Sequence, residues 1–274
     1  VVGISFRKGH GTQNDFVLLP DADGSLDLTP ARVRALCDRR RGLGADGVLR
    51  VVRASVAGLE GTAAEWFMDY RNADGSIAEM CGNGVRVFAR YLVEAGLTSN
   101  RAFTVATRAG DRAVQVHDDM SVTVQMGSVR VTGESSAVVG GVAVRGLAVD
   151  VGNPHLVCVV DKDVSTFDLR DQPQYDEADF PHGVNVELVN RVDGALRMRV
   201  HERGVGETRA CGTGTVAVTA ADLHLLGASE GSRAVHMPGG RVDVRVATGE
   251  ATMTGPAEFV ASGELTDAWW AAQQ

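Results

Sequence analysis

The sequence predicts an α+β protein of two pseudo-symmetric domains, each a mainly antiparallel β-sheet curled around a central α-helix. Three observations carry that expectation. Many short valine-rich runs are separated by Gly, Asp or Asn turns, the pattern of strands. Two apolar helical runs, Val85 to Ala95 and Val216 to Leu226, each end at a glycine. The chain also repeats itself weakly at about half its length, a period too long for a solenoid and right for a duplicated domain.

Taken in order, Asn14 opens the apolar run Asp15 to Leu19. Thr29 and Pro30 form an N-cap followed by an N1 proline, which predicts a helix through Ala31 to Arg40 with Cys37 inside it. Strands are expected at Val48 to Val52, Val114 to His117, Val122 to Met126 and Val142 to Val151. Further strands are expected at Leu196 to His201, Val242 to Val246 and Glu258 to Ala261. Asn153 opens Pro154 to Val157 as Asn14 opens its own run, and Asp46 and Asn185 follow the two asparagines at the same interval. Gly133 to Gly141 reads as the softest segment. The domain boundary is expected between Asp118 and Gly127, which gives a first half at 1–122 and a second at 123–261. The tail 262–274, with Trp269-Trp270, is expected to pack back on the first half, since an exposed pair of tryptophans is costly.

With 274 residues the chain can bury a sizeable core, and 44% apolar with 23% charged residues is ordinary for a globular protein. The net charge of −8 is spread along the chain, which argues against a nucleic-acid or membrane partner. No apolar run is long enough for a membrane span, and Val1 to His10 do not read as a signal peptide. A cytoplasmic location is therefore expected. The four cysteines contain no C-x-x-C spacing, so neither zinc nor a disulfide framework is expected, and no metal site is assigned. Cys37 and Cys158 read as small buried hydrophobes. Lys8 and Lys162 are the only lysines. Lys8 reads as opening a loop and Lys162 as part of a solvated turn, so a pyridoxal Schiff base is unsupported and no cofactor is expected.

The chemistry concentrates in two short stretches, Cys81-Gly82-Asn83-Gly84 and Cys211-Gly212-Thr213-Gly214. In each, a cysteine precedes Gly-x-Gly and an apolar helix, so it stands at a helix N-terminus. Backbone N–H groups there favour negative charge, which is expected to lower the thiol pKa. One thiolate could remove a substrate Cα–H while the other thiol delivers a proton to the opposite face, inverting the centre. Gly82, Asn83, Gly212 and Thr213 would direct backbone N–H groups at the substrate carboxylate. Either motif alone is more simply a tight turn with an incidental cysteine; the pair favours the two-base reading.

The stretch Tyr70-Arg71-Asn72-Ala73-Asp74-Gly75-Ser76, with Glu79-Met80-Cys81-Gly82-Asn83-Gly84-Val85-Arg86, resembles the first signature of the diaminopimelate epimerase family. His201-Glu202-Arg203-Gly204-Val205-Gly206-Glu207-Thr208, with Cys211-Gly212-Thr213-Gly214, resembles the second. Asn14-Asp15-Phe16, Gly42 to Gly47, Gly152-Asn153-Pro154-His155 and Gly183 to Val186 match in the family's order. The resemblance implies the diaminopimelate epimerase-like fold. It also implies a cofactor-independent epimerase interconverting LL- and meso-2,6-diaminopimelate, a lysine and peptidoglycan precursor, with Cys81 and Cys211 as the two bases. It implies that Asn72, Asn153, Asn185 and Arg203 hold the distal end of the substrate, with Asn14 beside the site. Glu202 would orient the substrate ammonium or support a thiol, and His155 would lie near the reacting centre. Diaminopimelate is then the small-molecule partner, with a homodimer left open.

Two departures from the family pattern stand out. Gly47 occupies a position where many members carry glutamine, which leaves one polar contact of the pocket unassigned. Thr12-Gln13 replaces a more usual glycine-containing approach to Asn14. Proline racemases resemble the second motif but usually show Cys-Gly-His-Gly at the first, where this chain has Asn83. A thiol hydrolase would need one essential cysteine and a covalent adduct, and a non-catalytic binding protein would tolerate loss of both thiols.

Overall fold

A two-residue turn sets the first strands in place. Thr12 and Gln13 both have positive φ, at 51° and 64°, the geometry that joins two antiparallel strands tightly. The computed structural model containing them describes residues 3–273; Val1, Val2 and Gln274, which the expected domain ranges include, lie outside the described residues. The described residues up to Val124, with those from Pro256 onward, form one unit, and Gln125–Gly255 form a second.

The first unit contains β1 (Ile4–Gly11), β2 (Asn14–Pro20), α1 (Pro30–Cys37), β3 (Gly47–Arg53), β4 (Trp66–Asn72), α2 (Gly82–Glu94), β5 (Ala102–Ala106) and β6 (Arg112–Val116). β7 (Val122–Ser128) crosses the unit boundary. β1 and β2 pair antiparallel, β2 and β3 parallel, β3 and β4 antiparallel, and β4 and β5 parallel. β5, β6 and β7 then continue antiparallel. Val85, Phe88 and Leu92 of α2 are fully buried, and the helix packs against β1, β2, β3, β4 and β6. Each such side chain contributes about 1.5–3 kcal/mol when buried.

The second unit contains β8 (Arg130–Val139), β9 (Val142–Asp150), β10 (Pro154–Val159), β11 (Gln174–Tyr175), β12 (Asn185–Val192) and β13 (Ala195–Glu202). These are followed by β14 (Gly206–Thr208), α3 (Gly212–Leu225), β15 (Gly231–Met237), β16 (Gly240–Ala247) and β17 (Glu250–Gly255). β9 and β10 pair antiparallel, β10 and β12 parallel, β12 and β13 antiparallel, and β13 and β15 parallel. β15, β16 and β17 close the series antiparallel. This is the succession of the first unit, so the weak sequence repeat is a repeat of topology. α3 is apolar nearly all round because strands β8, β9, β10, β12, β13, β15, β16 and β17 all pack on it. The architecture is α+β, with two parallel pairs in each unit where a helix or long connection bridges the strands.

β18 (Glu258–Leu265) pairs antiparallel with β1, which draws the second junction back to residue 256 from the expected 262. α4 (Asp267–Ala271) follows. Trp269 and Trp270 pack on the core formed by α1, β2 and β3, and the Arg32 guanidinium stacks 4.7 Å from the Trp270 ring.

Three local expectations are corrected. The first helix stops at Cys37 rather than Arg40, because the Asp38 side chain accepts the N–H groups of Arg40 and Arg41 and turns the chain. Gly133 to Gly141 is largely ordered as β8, which pairs along the length of β9 with one register shift at Val131/Gly133. Lys8 lies within β1, and its ammonium binds Asp15 and the Gly44 carbonyl.

Candidate active site

In the first unit, Cys81 is the N-cap residue of α2, in extended backbone geometry, and its carbonyl accepts the first helical bond from Val85. Its sulfur donates to Asn14 Oδ1 at 3.5 Å. The same oxygen accepts from Asn83 Nδ2 at 3.2 Å, and Asn14 Nδ2 donates to Asp46 Oδ2 at 2.9 Å. Asp46 also accepts the Asp15 N–H and is clamped by Arg39 at 2.9 Å. The Asp15 carboxyl, although burial alone raises its pKa, is held well below the usual carboxylate range by Arg39 and Lys8. The turn that delivers Asn14 is strained, since two non-glycine residues adopt left-handed geometry. The Arg86 guanidinium, donating to Thr12 Oγ1 at 3.0 Å, holds that turn.

Arg86 is fully buried under the first turn of α2. It donates to Asn83 Oδ1 at 2.7 Å and to the Pro256 carbonyl at 2.7 Å. Burial pulls its pKa down to about 10, with Cys81 acting in the opposite sense, so it stays cationic at neutral pH. A charged group so placed fixes the orientation of the Asn83 amide and, through it, of Asn14. Asn72, at the end of β4, donates its side-chain amide to Ser76 Oγ at 3.0 Å and pairs with Gly47. A Cβ on Gly47 would lie 2.6 Å from the Arg71 carbonyl oxygen and 2.7 Å from the Tyr70 ring. In this chain no side chain fits there without movement.

In the second unit, Cys211 is the N-cap of α3, and its sulfur accepts the Gly214 N–H at 3.4 Å. Thr213 Oγ1 lies 3.5 Å from the same sulfur. Burial pushes the Cys211 thiol well above its ordinary value, and the Glu202 and Glu187 charges add to the rise against the Thr213 and Gly214 hydrogen bonds. This corrects the expectation that the helix N-terminus lowers the pKa, because desolvation outweighs the helix field in a sealed position. Cys37 and Cys158 are likewise pushed up to about 12 by burial, as inert core thiols are.

His155 on β10 is fully buried, with Nδ1 2.6 Å from Glu187 Oε1 and Nε2 3.1 Å from Asn153 Oδ1. Asn153 Nδ2 donates to Thr213 Oγ1 at 3.5 Å. Asn185 accepts the Arg203 N–H at 3.0 Å and donates to the Pro154 carbonyl at 3.0 Å, tying the end of β13 to the start of β10. The Arg203 guanidinium donates to the His182 carbonyl, and Glu202 accepts from the Thr208 hydroxyl. Gly82 in one helix, and Gly212 and Thr213 in the other, occupy first-turn positions whose N–H groups point forward out of the helix.

Within the first unit, then, Asn14, Cys81 and Asn83 come together. Within the second, Asn153, His155, Thr213 and Cys211 do, and Asn185 adjoins Arg203. Among the described residues, no group of three His, Cys, Asp or Glu side chains is placed to hold a metal ion. Among the described residues, no helix is long and apolar enough to cross a membrane. Sequence reasoning missed Arg86 and Glu187. Each carried a signal: a lone arginine inside the apolar run Val85 to Phe88, and polar residues at Asn185 and Glu187 on one face of a strand.

Two units of one topology, each a mainly antiparallel sheet packed on a central helix, define a fold seen in solved structures. A PhzF-family phenazine biosynthesis protein from Bacillus anthracis matches with a TM-score of 0.72 at 15% identity, covering 97% of this chain and 100% of that one. A hydroxyproline epimerase from Agrobacterium vitis, with bound trans-4-OH-L-proline, matches with a TM-score of 0.66 at 17% identity, covering 98% of each. At such identity the likeness shows the fold. The family follows from closer comparisons. A sequence model of the diaminopimelate epimerase family matches residues 6–132 and 147–260. The diaminopimelate epimerase of Rhodococcus jostii is 55% identical over 97% of this chain and 99% of its own length. That of Mycolicibacterium smegmatis is 55% identical over 97% and 98%. The chain belongs to the diaminopimelate epimerase family and is accordingly an isomerase.

Proposed function

We propose that this chain interconverts LL- and meso-2,6-diaminopimelate without a cofactor, with Cys81 and Cys211 as the two acid/base groups. The observation that carries the reading is the repeated half-site: each unit caps its central helix with a cysteine and backs that cysteine with an oriented amide. Family membership supplies the substrate.

Cys211 keeps its proton at neutral pH, so it enters the reaction as the acid. Cys81, beside the Arg86 cation, first loses to solvent the proton it directs at Asn14; as thiolate it takes the Cα hydrogen, and Cys211 delivers its own proton to the opposite face of the carbanion. Cys81 ends as thiol and Cys211 as thiolate, the correct pair for the reverse reaction. The first-turn N–H groups of Gly82, Asn83, Gly212 and Thr213 oppose the charge that develops on the reacting carboxylate. Asn72, Asn153, Asn185 and Arg203, with Asn14, hold the distal end, since asparagine can serve both an ammonium and a carboxylate. Glu202 and His155 support the acid half-site. A pair of working thiols suits a reducing compartment such as the cytoplasm.

The test is turnover of LL-diaminopimelate in deuterium oxide. Deuterium is expected at Cα of the meso product before equilibrium is reached. Retention of the substrate hydrogen throughout would refute the two-base scheme, and preference for proline, histidine or glutamate would refute the substrate.

A further inference from the structure

Glu187 stands on β12 two residues beyond Asn185 and is fully buried. Its Oε1 meets His155 Nδ1 at 2.6 Å, and its Oε2 has no hydrogen-bond partner. A Cβ on Gly214 would lie 2.9 Å from Oε1, so the carboxyl sits immediately beneath the first turn of α3. On the other side of the His155 ring, Nε2 faces Asn153 Oδ1. An amide oxygen only accepts, so Nε2 carries a hydrogen. Asn153 Nδ2 then donates to Thr213 Oγ1, which leaves the Thr213 hydroxyl hydrogen available to the Cys211 sulfur 3.5 Å away.

We propose that Glu187 is a positioning residue: paired with His155, it keeps a hydrogen on Nε2, and that hydrogen sets the direction of each bond from Asn153 through Thr213 to Cys211. The pair holds two protons, either as carboxylic acid and neutral imidazole or as carboxylate and imidazolium. Both arrangements have no net charge, so the rise that a lone Glu187 carboxylate would impose on Cys211 is offset within the pair. Burial raising the Glu187 pKa against the pull of His155 favours the same proton count. Glu202 on β13, held by Thr208, is the other charged group acting on both Glu187 and Cys211, and the Gly214 N–H faces the sulfur from α3. The consequence, which rests on the two-thiol reading, is that Cys211 has two donors in place when it gives up its proton.

Side-chain ¹⁵N NMR of His155 and a ¹³C-cysteine titration of Cys211, assigned with C211S, test this on the full chain. Nε2 is expected to carry a hydrogen at neutral pH; a bare Nε2 overturns the proposal. Glu187→Gln, whose amide can donate to Nδ1, is expected to retain that hydrogen and leave Cys211 ionisation in place. Glu187→Leu is expected to release the ring and raise the Cys211 pKa by about one unit, tenfold in its ionisation constant. If Glu187 acted merely as a buried charge, both variants would ionise Cys211 at lower pH, and that result overturns the proposal. Should Glu187→Leu fail to fold, the wild-type spectrum and Glu187→Gln still decide. Neither measurement involves substrate, so a failed turnover assay and a failed positioning role are separately visible.

Discussion

Gly84 and Gly214 occupy the same position in the two cysteine motifs, yet alanine at the two sites is expected to have opposite effects. Neither has positive φ, and both lie in the first turn of a helix, where replacing glycine by alanine gains about 0.5–1 kcal/mol. At Gly84 the added Cβ meets Leu49, Cys81 and Phe16 at 3.4–3.5 Å, ordinary contact, so the gain survives. At Gly214 it lies 2.9 Å from Glu187 Oε1 and 3.2 Å from Met198 Cε. Overpacking of that kind costs about 1–3 kcal/mol, which turns the gain into a net loss of about 1–2 kcal/mol. Gly84→Ala and Gly214→Ala should therefore differ by about 2 kcal/mol in urea unfolding followed by circular dichroism. Gly214→Ala should also lose turnover, because relief of the clash moves either Glu187 or the turn that carries Cys211. Equal shifts of the same sign in the two variants would refute the reasoning.

Cys81→Ala and Cys211→Ala should each lower epimerisation by about 10³-fold or more, since on the two-thiol reading each removes an acid/base group that the other cannot replace; formation of the inverted isomer measures this. Asp46→Ala should lower kcat/KM by about 10–100-fold by releasing Asn14 from its 2.9 Å bond, with little change in unfolding midpoint. Cys37, Cys158 and Cys211 all have folded pKa values raised by burial. Their stabilising effect is complete below the unfolded thiol value of about 8.5 and is lost as pH rises, at up to about 1.4 kcal/mol per pH unit for each thiol. Denaturant midpoints should thus fall steeply between pH 9 and 11, and a flat profile would count against the burial of these thiols. Gln13→Gly should stabilise the chain by about 1 kcal/mol by relieving the left-handed turn, as thermal unfolding would show.

Much of this arrangement was legible in the sequence because duplication writes each signal twice. The helices were visible from Gly-x-Gly and an apolar run, and the Thr29-Pro30 cap was visible because its chemistry is local: Thr29 accepts the Arg32 N–H as the motif predicts. The sites where the reading failed are those decided by surroundings. The early end of α1 depends on Asp38 competing for backbone N–H groups, a choice that composition alone does not fix. Cys211 looked like a low-pKa thiol because the helix end is local, while the desolvation that outweighs it comes from strands far away in sequence. Arg86 and Glu187 left a mark in the sequence as polar residues within apolar elements, but their roles depend on partners far along the chain, such as Thr12 for Arg86 and His155 for Glu187.

The pairing of β18 with β1 also bears on the order in which the chain folds. Gln125–Gly255 is one unbroken stretch and can collapse as soon as it leaves the ribosome. The unit bearing Cys81 must wait with its β1 edge open until the residues after 255 are made. Translation thus completes the unit bearing Cys211 before the unit bearing Cys81, and a chain stalled late in synthesis would carry a finished Cys211 turn and an unpaired strand edge, the kind of surface that chaperones shield.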